Sequence, residues 1–195
     1  MGAPSEIQFI LASRSPRRVQ FLREAGYVFQ ADPADVPEQP AHGEAASDYA
    51  LRVATAKARA VASPLPVLGA DTDVVLTGRI LGKPENAAQA AAMLAELSGR
   101  SHQVISAVVI VQGARLASAL TVTEIDFAVL SERDIAAYVA SGEPMGKAGA
   151  YGIQGAAARF VRAVRGSYTG VVGLPMAETA DLLAGFGIYP VAHDH

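Results

Sequence analysis

The chain has 195 residues and no cysteine, which excludes disulfides, thiolate metal ligands and a cysteine nucleophile. A hydrophobic content of 51% suffices for a sizeable core in a single domain over residues 1–195, and a net charge of −3 gives no general attraction to nucleic acid. No apolar run reaches the roughly 18 residues of a membrane span, and the N-terminus lacks the pattern of a secretory signal, so we expect a cytoplasmic protein that binds neither membrane nor nucleic acid.

Strands and helices alternate in the first half of the chain. Ser15 is a typical N-cap residue, and Pro16 is typical of the first turn of a helix. We expect this helix to end at Gly26. The predicted elements are, in order, a strand at 7–12, a helix from Ser15 to Gly26, a proline-rich loop at 30–44, an alanine-rich helix at 45–62 and a strand at 66–76. The buried stripe predicted for the alanine-rich helix consists of Tyr49, Val53, Ala56 and Ala60.

The second half combines helices with a hairpin. Asn86 and Gln89 have the spacing of a capping box, and Ser131 with Asp134 caps a later helix. The predicted elements are a helix after Asn86, hairpin strands at 103–111 and 115–128, a helix from Ser131 to Gly142, a strand at about 159–165, and a helix from Pro175 to Gly187. This order predicts an α/β fold with a mixed sheet flanked by helices.

Charged and polar residues form four clusters in a chain of which only 18% is charged. The first cluster, Ser13–Arg18, lies between a strand and a helix N-terminus. Free backbone N–H groups, the helix dipole and the guanidinium groups make such a place suitable for an anion. The alternative is a solvated basic helix start.

The second cluster is Gly69-Ala70-Asp71-Thr72-Asp73, in which two carboxylates and a hydroxyl interrupt an otherwise apolar strand. The two carboxylates fall on one face of that strand because side chains alternate with a period of two. Such a pair can hold Mg²⁺ or act as a general base. The alternative is a strand end that is exposed to solvent.

The third and fourth clusters are Gly82-Lys83-Pro84 and the glycine-rich loop 147–155. The loop combines glycines, which permit close backbone approach to a ligand, with Lys147, Tyr151 and Gln154. Together the four clusters supply cations for phosphates, carboxylates for a metal and an amide for a base edge. That set indicates nucleotide polyphosphate chemistry, but it does not choose between phosphate-cleaving reactions.

An ordered series of motifs resembles the Maf family of nucleotide pyrophosphatases over roughly residues 7 to 187. The matching stretches are Leu11–Arg18, Leu68–Thr72, Gly82–Pro84, Leu97–Gly99 with His102, Tyr138–Pro144, the loop 147–155, and Gly166–Tyr168 through Val171–Pro175 with Glu178–Thr179. Ala-Asp-Thr and Ala-Tyr-Gly-Ile-Gln resemble the branch that acts on dTTP and UTP. The branch that acts on 7-methyl-GTP usually has Asp-Gln in place of Asp71-Thr72.

The resemblance also implies residue roles. Asp71 is implied as the proton acceptor and, with Glu38, as a binder of a divalent metal, Mg²⁺ or Mn²⁺. Substrate selection is implied for Arg17, Thr72 and Gln154, and phosphate binding for Ser13, Arg18, Lys57 and Lys83. The family often has an acid where Pro37 stands and an aspartate where Gly146 stands.

The resemblance implies an enzyme that cleaves dTTP and UTP, or modified pyrimidine nucleotides, to the monophosphate and pyrophosphate. Such an enzyme would remove unwanted nucleotides from the cellular pool. The implied fold is an elongated α/β structure with a cleft between two lobes, shared with inosine triphosphate pyrophosphatases. A cytoplasmic homodimer is usual in the family.

Two alternatives stay open. Asp71-Thr72-Asp73-Val74-Val75 fits the Asp-x-Asp-x-Val pattern of haloacid-dehalogenase-like phosphatases, whose first aspartate is a nucleophile. That motif normally opens the chain, and here it lies past residue 70 with no later paired-acid motif. The other alternative is a septum-formation inhibitor that acts through protein contacts, because Maf-like proteins are associated with cell-division arrest.

Overall fold

The computed structural model describes residues 6–191, which contain strands, α-helices and two short 3-10 helices, Ala148–Ala150 and Ala156–Phe160. The strands are β1 (Phe9–Leu11), β2 (Phe29–Ala31), β3 (Val67–Leu76), β4 (Arg79–Leu81), β5 (Ser101–Gln112), β6 (Arg115–Phe127) and β7 (Val161–Arg165). The helices are α1 (Pro16–Glu24), α2 (Ala46–Arg59), α3 (Ala87–Leu97), α4 (Glu132–Ala140), α5 (Tyr168–Val172) and α6 (Met176–Gly185). None of the helices in the described part is long and apolar enough to span a membrane.

All seven strands belong to one sheet with the order β2-β1-β3-β5-β6-β7, and β4 pairs with β3 outside that path. β1 runs parallel to β2 and to β3, whereas β4 is antiparallel to β3 and β7 to β6. β5 and β6 are neighbours joined by two residues, a connection short enough only for antiparallel strands. The predicted α/β class with a mixed sheet is therefore confirmed.

The chain divides into two compact units. The first runs up to Asp71 and takes in Ala107–Leu120 and the chain from Gly173 onward. The second consists of Thr72–Ser106 and Thr121–Val172. The assignment of residues 1–195 to a single domain stays a prediction.

The core of the first unit surrounds β1, which is buried along its whole length. A short strand that is apolar throughout is typical of parallel sheets covered on both faces. The core cluster consists of Phe9, Leu11, Leu22, Tyr27, Leu68, Ala70, Val108, Ile110, Leu174, Leu183 and Ile188. This packing holds the end of β1 and the start of α1, where the first polar cluster lies.

Helix α2 packs with its backbone directly on β3 at Gly69. A Cβ atom on Gly69 would lie 2.2 Å from the Ala54 carbonyl oxygen and 2.8 Å from the Ala58 nitrogen. The predicted stripe is right for Tyr49 and Val53, which are buried. It is wrong at its C-terminal end.

Ala60 is exposed and Ala56 only half-buried, whereas Ala54, Lys57 and Ala58 are buried. The close approach at Gly69 explains the difference, since it turns the small residues Ala54 and Ala58 toward the strand. The same rotation buries Lys57, a residue type that hydrophobic periodicity assigns to solvent.

An aromatic cluster forms part of the core of the second unit. The rings of Phe127 and Tyr151 have centroids 4.7 Å apart, and those of Tyr138 and Phe160 are 5.3 Å apart. His102 lies against Phe127, and its Nε2 is 2.8 Å from the Tyr151 hydroxyl oxygen. Burial lowers the pKa of His102 to about 4. These contacts make His102 a part of the aromatic core of the second unit.

Two of the three predicted helix caps form a side-chain hydrogen bond, whereas Ser15 stands at the N-cap of α1 without a side-chain cap hydrogen bond. Two short strands and one short α-helix were not predicted. Asn86 Oδ1 accepts a hydrogen bond from the Gln89 backbone nitrogen, and Ser131 Oγ accepts one from that of Asp134. The unpredicted elements are β2, whose last two residues fall in the predicted loop 30–44, β4 and α5. They have three to five residues each, too few to show a periodic pattern of side chains.

Candidate functional site

Arg18 joins three segments of the first unit through its buried guanidinium. Its Nε donates to the Gly173 carbonyl oxygen at 2.7 Å. Its Nη1 donates to the Ala70 carbonyl oxygen at 2.8 Å and lies 3.1 Å from Ser13 Oγ. The residue is only 8% exposed. At least three donor contacts of Arg18 therefore serve the protein itself, while its phosphate-binding role stays a prediction.

The neighbouring arginines of the first cluster differ from Arg18. Arg14 is exposed and forms a two-point ion pair with Asp35, with N–O distances of 2.7 and 2.9 Å. Arg17 is half-buried on the first turn of α1. The Arg14–Asp35 pair connects the helix start to the proline-rich loop, although an exposed pair of this kind contributes less than about 1 kcal/mol.

The proline-rich loop that carries Glu38 is fastened to α2 by Arg52. Arg52 donates to the Gln39 carbonyl oxygen at 3.0 Å and to both carboxylate oxygens of Glu44 at 2.6 and 2.7 Å. The Glu44 carboxylate also accepts a hydrogen bond from the Ala41 nitrogen at 2.9 Å. The hydrogen bonds from the Arg52 side chain and from the Ala41 backbone nitrogen lower the pKa of Glu44 to about 2. The loop therefore has defined anchor points on both sides of Glu38.

Lys57 brings the two predicted metal-binding acids together. Its Nζ lies 2.6 Å from Glu38 Oε1 and 2.7 Å from Asp71 Oδ1. The three side chains come from α2, the proline-rich loop and β3, and all belong to the first unit. The side chains of Lys57 and Asp71 are 11% and 10% exposed, and that of Glu38 is 37% exposed. The structure thus gathers residues that are 19 and 14 positions from Lys57 in the sequence.

The Glu38 and Asp71 carboxylates fit a divalent cation of the hard, oxygen-binding type. Both already converge on one positive charge, and Mg²⁺ and Mn²⁺ prefer such oxygen ligands. Among residues 6–191 no group of three or more His, Cys, Asp or Glu residues is arranged to hold a metal ion. Two carboxylates leave most of an octahedral coordination shell to water and phosphate oxygens, as is usual for Mg²⁺.

In the second unit, Thr72 follows Asp71 directly along β3 and lies near a buried serine. The Ser106 hydroxyl donates to the Gly170 carbonyl oxygen at 2.7 Å and is 3.1 Å from Thr72 Oγ1. Sequence reasoning missed Ser106, which is fully buried in β5. The signal was a lone hydroxyl in an apolar strand, the kind of polar group that needs a partner.

The glycine-rich loop is attached to the Gly82-Lys83-Pro84 segment within the second unit. The Gly149 nitrogen donates to the Gly82 carbonyl oxygen at 3.1 Å. Lys83 and Gln154 are exposed. Gly149 has a φ of 65°, and a Cβ there would lie 2.8 Å from a Val74 methyl group, so this position requires glycine.

Glu143 organises the loop and was given no role by the sequence analysis. Its carboxylate accepts hydrogen bonds from the Tyr138 hydroxyl and from the Ala156 nitrogen, both at 3.0 Å. The Tyr138 hydroxyl in turn accepts one from the Gly152 nitrogen at 3.2 Å. A Cβ on Gly155 would lie 1.9 Å from Glu143 Oε1, so the carboxylate fills the space beside that glycine.

The family model for Maf-like protein matches residues 8–186. The chain belongs to the Maf-like protein family. This match covers all of the predicted site residues, from Ser13 in the first unit to Gln154 in the second.

Several curated Maf relatives are similar over almost the whole chain. A dTTP/UTP pyrophosphatase of Aromatoleum aromaticum is 47% identical, covering 96% of this chain and 99% of its own length. The dTTP/UTP pyrophosphatases of Escherichia coli O157:H7 and Xanthomonas axonopodis pv. citri are 49% and 52% identical. Those matches cover 90% and 92% of this chain, and 91% and 98% of the relatives.

Among the solved structures that match, that of the Staphylococcus aureus Ham1 protein has a TM-score of 0.44 at 15% identity. The match covers 62% of this chain and 71% of the Ham1 chain. The assignment of the fold rests on the strand order and pairing of the sheet, not on this likeness.

The predicted site residues fall into two groups in the structure. In the first unit, Ser13 contacts Arg18, and Glu38 and Asp71 contact Lys57. In the second unit the predicted residues are Thr72, Lys83 and Gln154. Asp73, also buried, belongs to the second unit although it lies two residues from Asp71 on β3.

Proposed function

We propose that the chain is a nucleoside triphosphate pyrophosphatase that hydrolyses dTTP and UTP to the monophosphate and pyrophosphate. The observation that carries the proposal is the meeting of the Glu38 and Asp71 carboxylates on Lys57, in a chain about half identical to proteins named dTTP/UTP pyrophosphatase. These residues supply both charge signs that a triphosphate and its metal need. We further propose a cytoplasmic homodimer with a nucleotide as its small-molecule partner.

A divalent cation, Mg²⁺ or Mn²⁺, belongs to this proposal, with Glu38 and Asp71 as its protein ligands. When bound, such an ion polarises a phosphoryl oxygen and neutralises part of the triphosphate charge. The chain's own contribution is to hold the two carboxylates in place. The α2 backbone packs on Gly69 and Arg52 anchors the loop before α2, so both carboxylates stay close to Lys57.

Asp71 is the proposed proton acceptor. A carboxylate within hydrogen-bond reach of a water can take its proton as the water attacks a phosphoryl group. Asp71 suits this role because it lies on a central strand of the sheet and is only 7% exposed, so its geometry is fixed and water access is restricted.

Positive charge stabilises the pyrophosphate that leaves. The residues proposed for this task are Ser13, as a hydroxyl donor, and Arg17, Arg18, Lys57 and Lys83 as cations. A fixed cation stabilises charge that grows in the transition state without having to reorganise during the reaction.

Selection of the base is proposed for Arg17, Thr72 and Gln154. The Gln154 amide carries both an acceptor oxygen and a donor nitrogen. Uracil and thymine share N3–H and O4, so one amide orientation serves both. Cytosine has the opposite donor and acceptor pattern at these atoms, so the same amide disfavours it.

A substrate panel tests the proposal. Canonical and modified nucleoside triphosphates are incubated with the full chain and Mg²⁺ or Mn²⁺, and monophosphate, pyrophosphate and orthophosphate are quantified. We expect dTTP and UTP to give monophosphate and pyrophosphate in equal amounts. Orthophosphate as the sole product would instead support the haloacid-dehalogenase-like alternative, and no turnover of any nucleotide would contradict the proposal.

The Asp71→Asn variant tests the proton acceptor. Activity on dTTP should fall at least about a hundredfold, because general-base catalysis contributes roughly that much or more. Asp181→Asn makes the same chemical change at an exposed position on α6 and should keep full activity. Undiminished turnover by a folded Asp71→Asn protein would remove Asp71 from the mechanism.

A further inference from the structure

Lys57 stands where its ammonium group competes with a divalent cation. Its Nζ is in direct contact with one oxygen of Glu38 and one of Asp71, at 2.6 and 2.7 Å. A phosphate-binding role alone does not explain why a lysine should contact two acids. We propose that Lys57 competes with the divalent cation for the Glu38 and Asp71 carboxylates, so that the cation binds tightly only together with the nucleotide.

The distances make the competition direct. Mg²⁺ lies about 2.1 Å from its oxygen ligands. A cation at that distance from Glu38 Oε1 or Asp71 Oδ1 would be no more than about 5 Å from Nζ. With side chains only 11% and 10% exposed, Lys57 and Asp71 are too buried for water to screen the repulsion between the two cations fully. The ammonium must therefore move before the metal can bind tightly.

The backbone of Lys57 cannot supply that movement. Helix α2 is in van der Waals contact with β3 at Gly69, where even a methyl group would overlap the Ala54 carbonyl oxygen. The helix therefore holds the Lys57 backbone at a fixed distance from Asp71. Only the flexible side chain of Lys57 can rotate, and it does so at a low cost only if another anion accepts its ammonium.

A triphosphate meets both needs at once. Its oxygens are anionic acceptors for the lysine ammonium, and they add ligands to a cation for which the described residues offer no group of three. The predicted phosphate contact of Lys57 and its observed carboxylate contacts then belong to two stages of one binding event. This part of the inference rests on the proposed function, because it requires a nucleotide at the same site.

The test measures the affinity of the full chain for Mn²⁺ in the absence of nucleotide. The concentration of free Mn²⁺ is determined by electron paramagnetic resonance. Lys57→Met keeps most of the side-chain length and removes the charge. We expect Lys57→Met to bind Mn²⁺ at least about tenfold more tightly than the unmodified chain, a change of about 1.4 kcal/mol. An unchanged or weaker affinity in a folded variant would overturn the proposal.

Two further variants locate the effect. Arg59→Met removes the same charge from an exposed position two residues along α2 and should leave the Mn²⁺ affinity within about twofold of the unmodified chain. Adding Glu38→Gln to Lys57→Met should abolish the gain in affinity. A gain in Arg59→Met, or one that survives Glu38→Gln, would contradict competition at these carboxylates.

Lys57→Gln is the second variant in case Lys57→Met fails to fold, and the same tenfold gain is expected of it. These measurements use no nucleotide, so their outcome is separate from that of the activity assay. If Lys57→Met binds Mn²⁺ more tightly but the unmodified chain hydrolyses no nucleotide, the proposed function is refuted and the competition by Lys57 is supported. Normal hydrolysis of dTTP with no change in Mn²⁺ affinity would refute the competition alone.

Discussion

Replacing Arg18 by methionine is expected to destabilise the protein strongly even when no nucleotide is present. The guanidinium donates to two buried backbone carbonyls, those of Gly173 and Ala70, at 2.7 and 2.8 Å. Each hydrogen bond from a charged donor contributes about 1.5–3 kcal/mol. Methionine fills much of the volume of the arginine stem, and removal of the buried charge relieves a desolvation cost. Together these effects predict a loss of about 3 kcal/mol.

Urea unfolding followed by circular dichroism measures this loss. With a slope of about 2 kcal/mol per molar urea, the midpoint should fall by about 1.5 M. Arg17→Met makes the same change one residue earlier, at a half-buried position, and should cost less than about 1 kcal/mol. If the two variants unfold at the same urea concentration, Arg18 does not hold the three segments together as the contacts indicate.

Three further perturbations test other parts of the structure. Gly69→Ala should lower the free energy of unfolding in urea by about 3 kcal/mol or more, because its Cβ would overlap the backbone of α2. Gly185→Ala places its Cβ in open space and should change the free energy of unfolding by less than about 0.5 kcal/mol. Equal effects of the two variants would refute the tight packing at Gly69. His102 has a folded pKa of about 4, below its unfolded value of 6.5, so the unfolded chain takes up the proton first. Its contribution to the free energy of unfolding is therefore complete above pH 6.5 and is lost as the pH falls toward 4, by up to about 3 kcal/mol. His102→Gln should make the free energy of unfolding depend less on pH between 6.5 and 4. An unchanged dependence on pH would contradict the lowered pKa of His102. Glu143→Ala removes the acceptor of two hydrogen bonds and should speed amide hydrogen exchange in the loop 147–155 severalfold. Exchange in α1 should not change. If the loop exchanges as slowly in the variant as in the unmodified chain, Glu143 does not order it.

The sequence predicts best those features that depend on local patterns. The caps at Asn86 and Ser131 form as predicted because capping depends only on a side chain and a backbone group three residues later. The hairpin was predicted within two residues because two long β-rich stretches flank a short turn. The strand β3 was predicted closely because its apolar residues run on both sides of Asp71.

Features that depend on contacts between distant segments were predicted less well. Periodicity placed Ala56 and Ala60 in the buried stripe of α2, and only the close approach at Gly69 shows why Lys57 is buried there instead. The short strand β2 forms through backbone pairing with β1, which leaves no pattern in its own side chains.

The candidate site follows the same division. The resemblance to the Maf family implied roles for Glu38, Lys57 and Asp71 individually. It did not predict that Lys57 would contact both acids, since that depends on where α2 packs on β3. Ser106 and Glu143 were missed because their contacts with the Gly170 carbonyl oxygen and the Ala156 nitrogen depend on the fold and leave no pattern in the sequence.

The most direct test of the proposed function is the identity of the phosphorus products formed from dTTP. Phosphorus NMR of dTTP with Mg²⁺ and the full chain should show the triphosphate signals replaced by those of dTMP and pyrophosphate, with no dTDP at any time. The Asp71→Asn variant should leave the dTTP signals unchanged over the same period. Appearance of dTDP with orthophosphate would contradict cleavage between the α and β phosphates and would refute the proposed function.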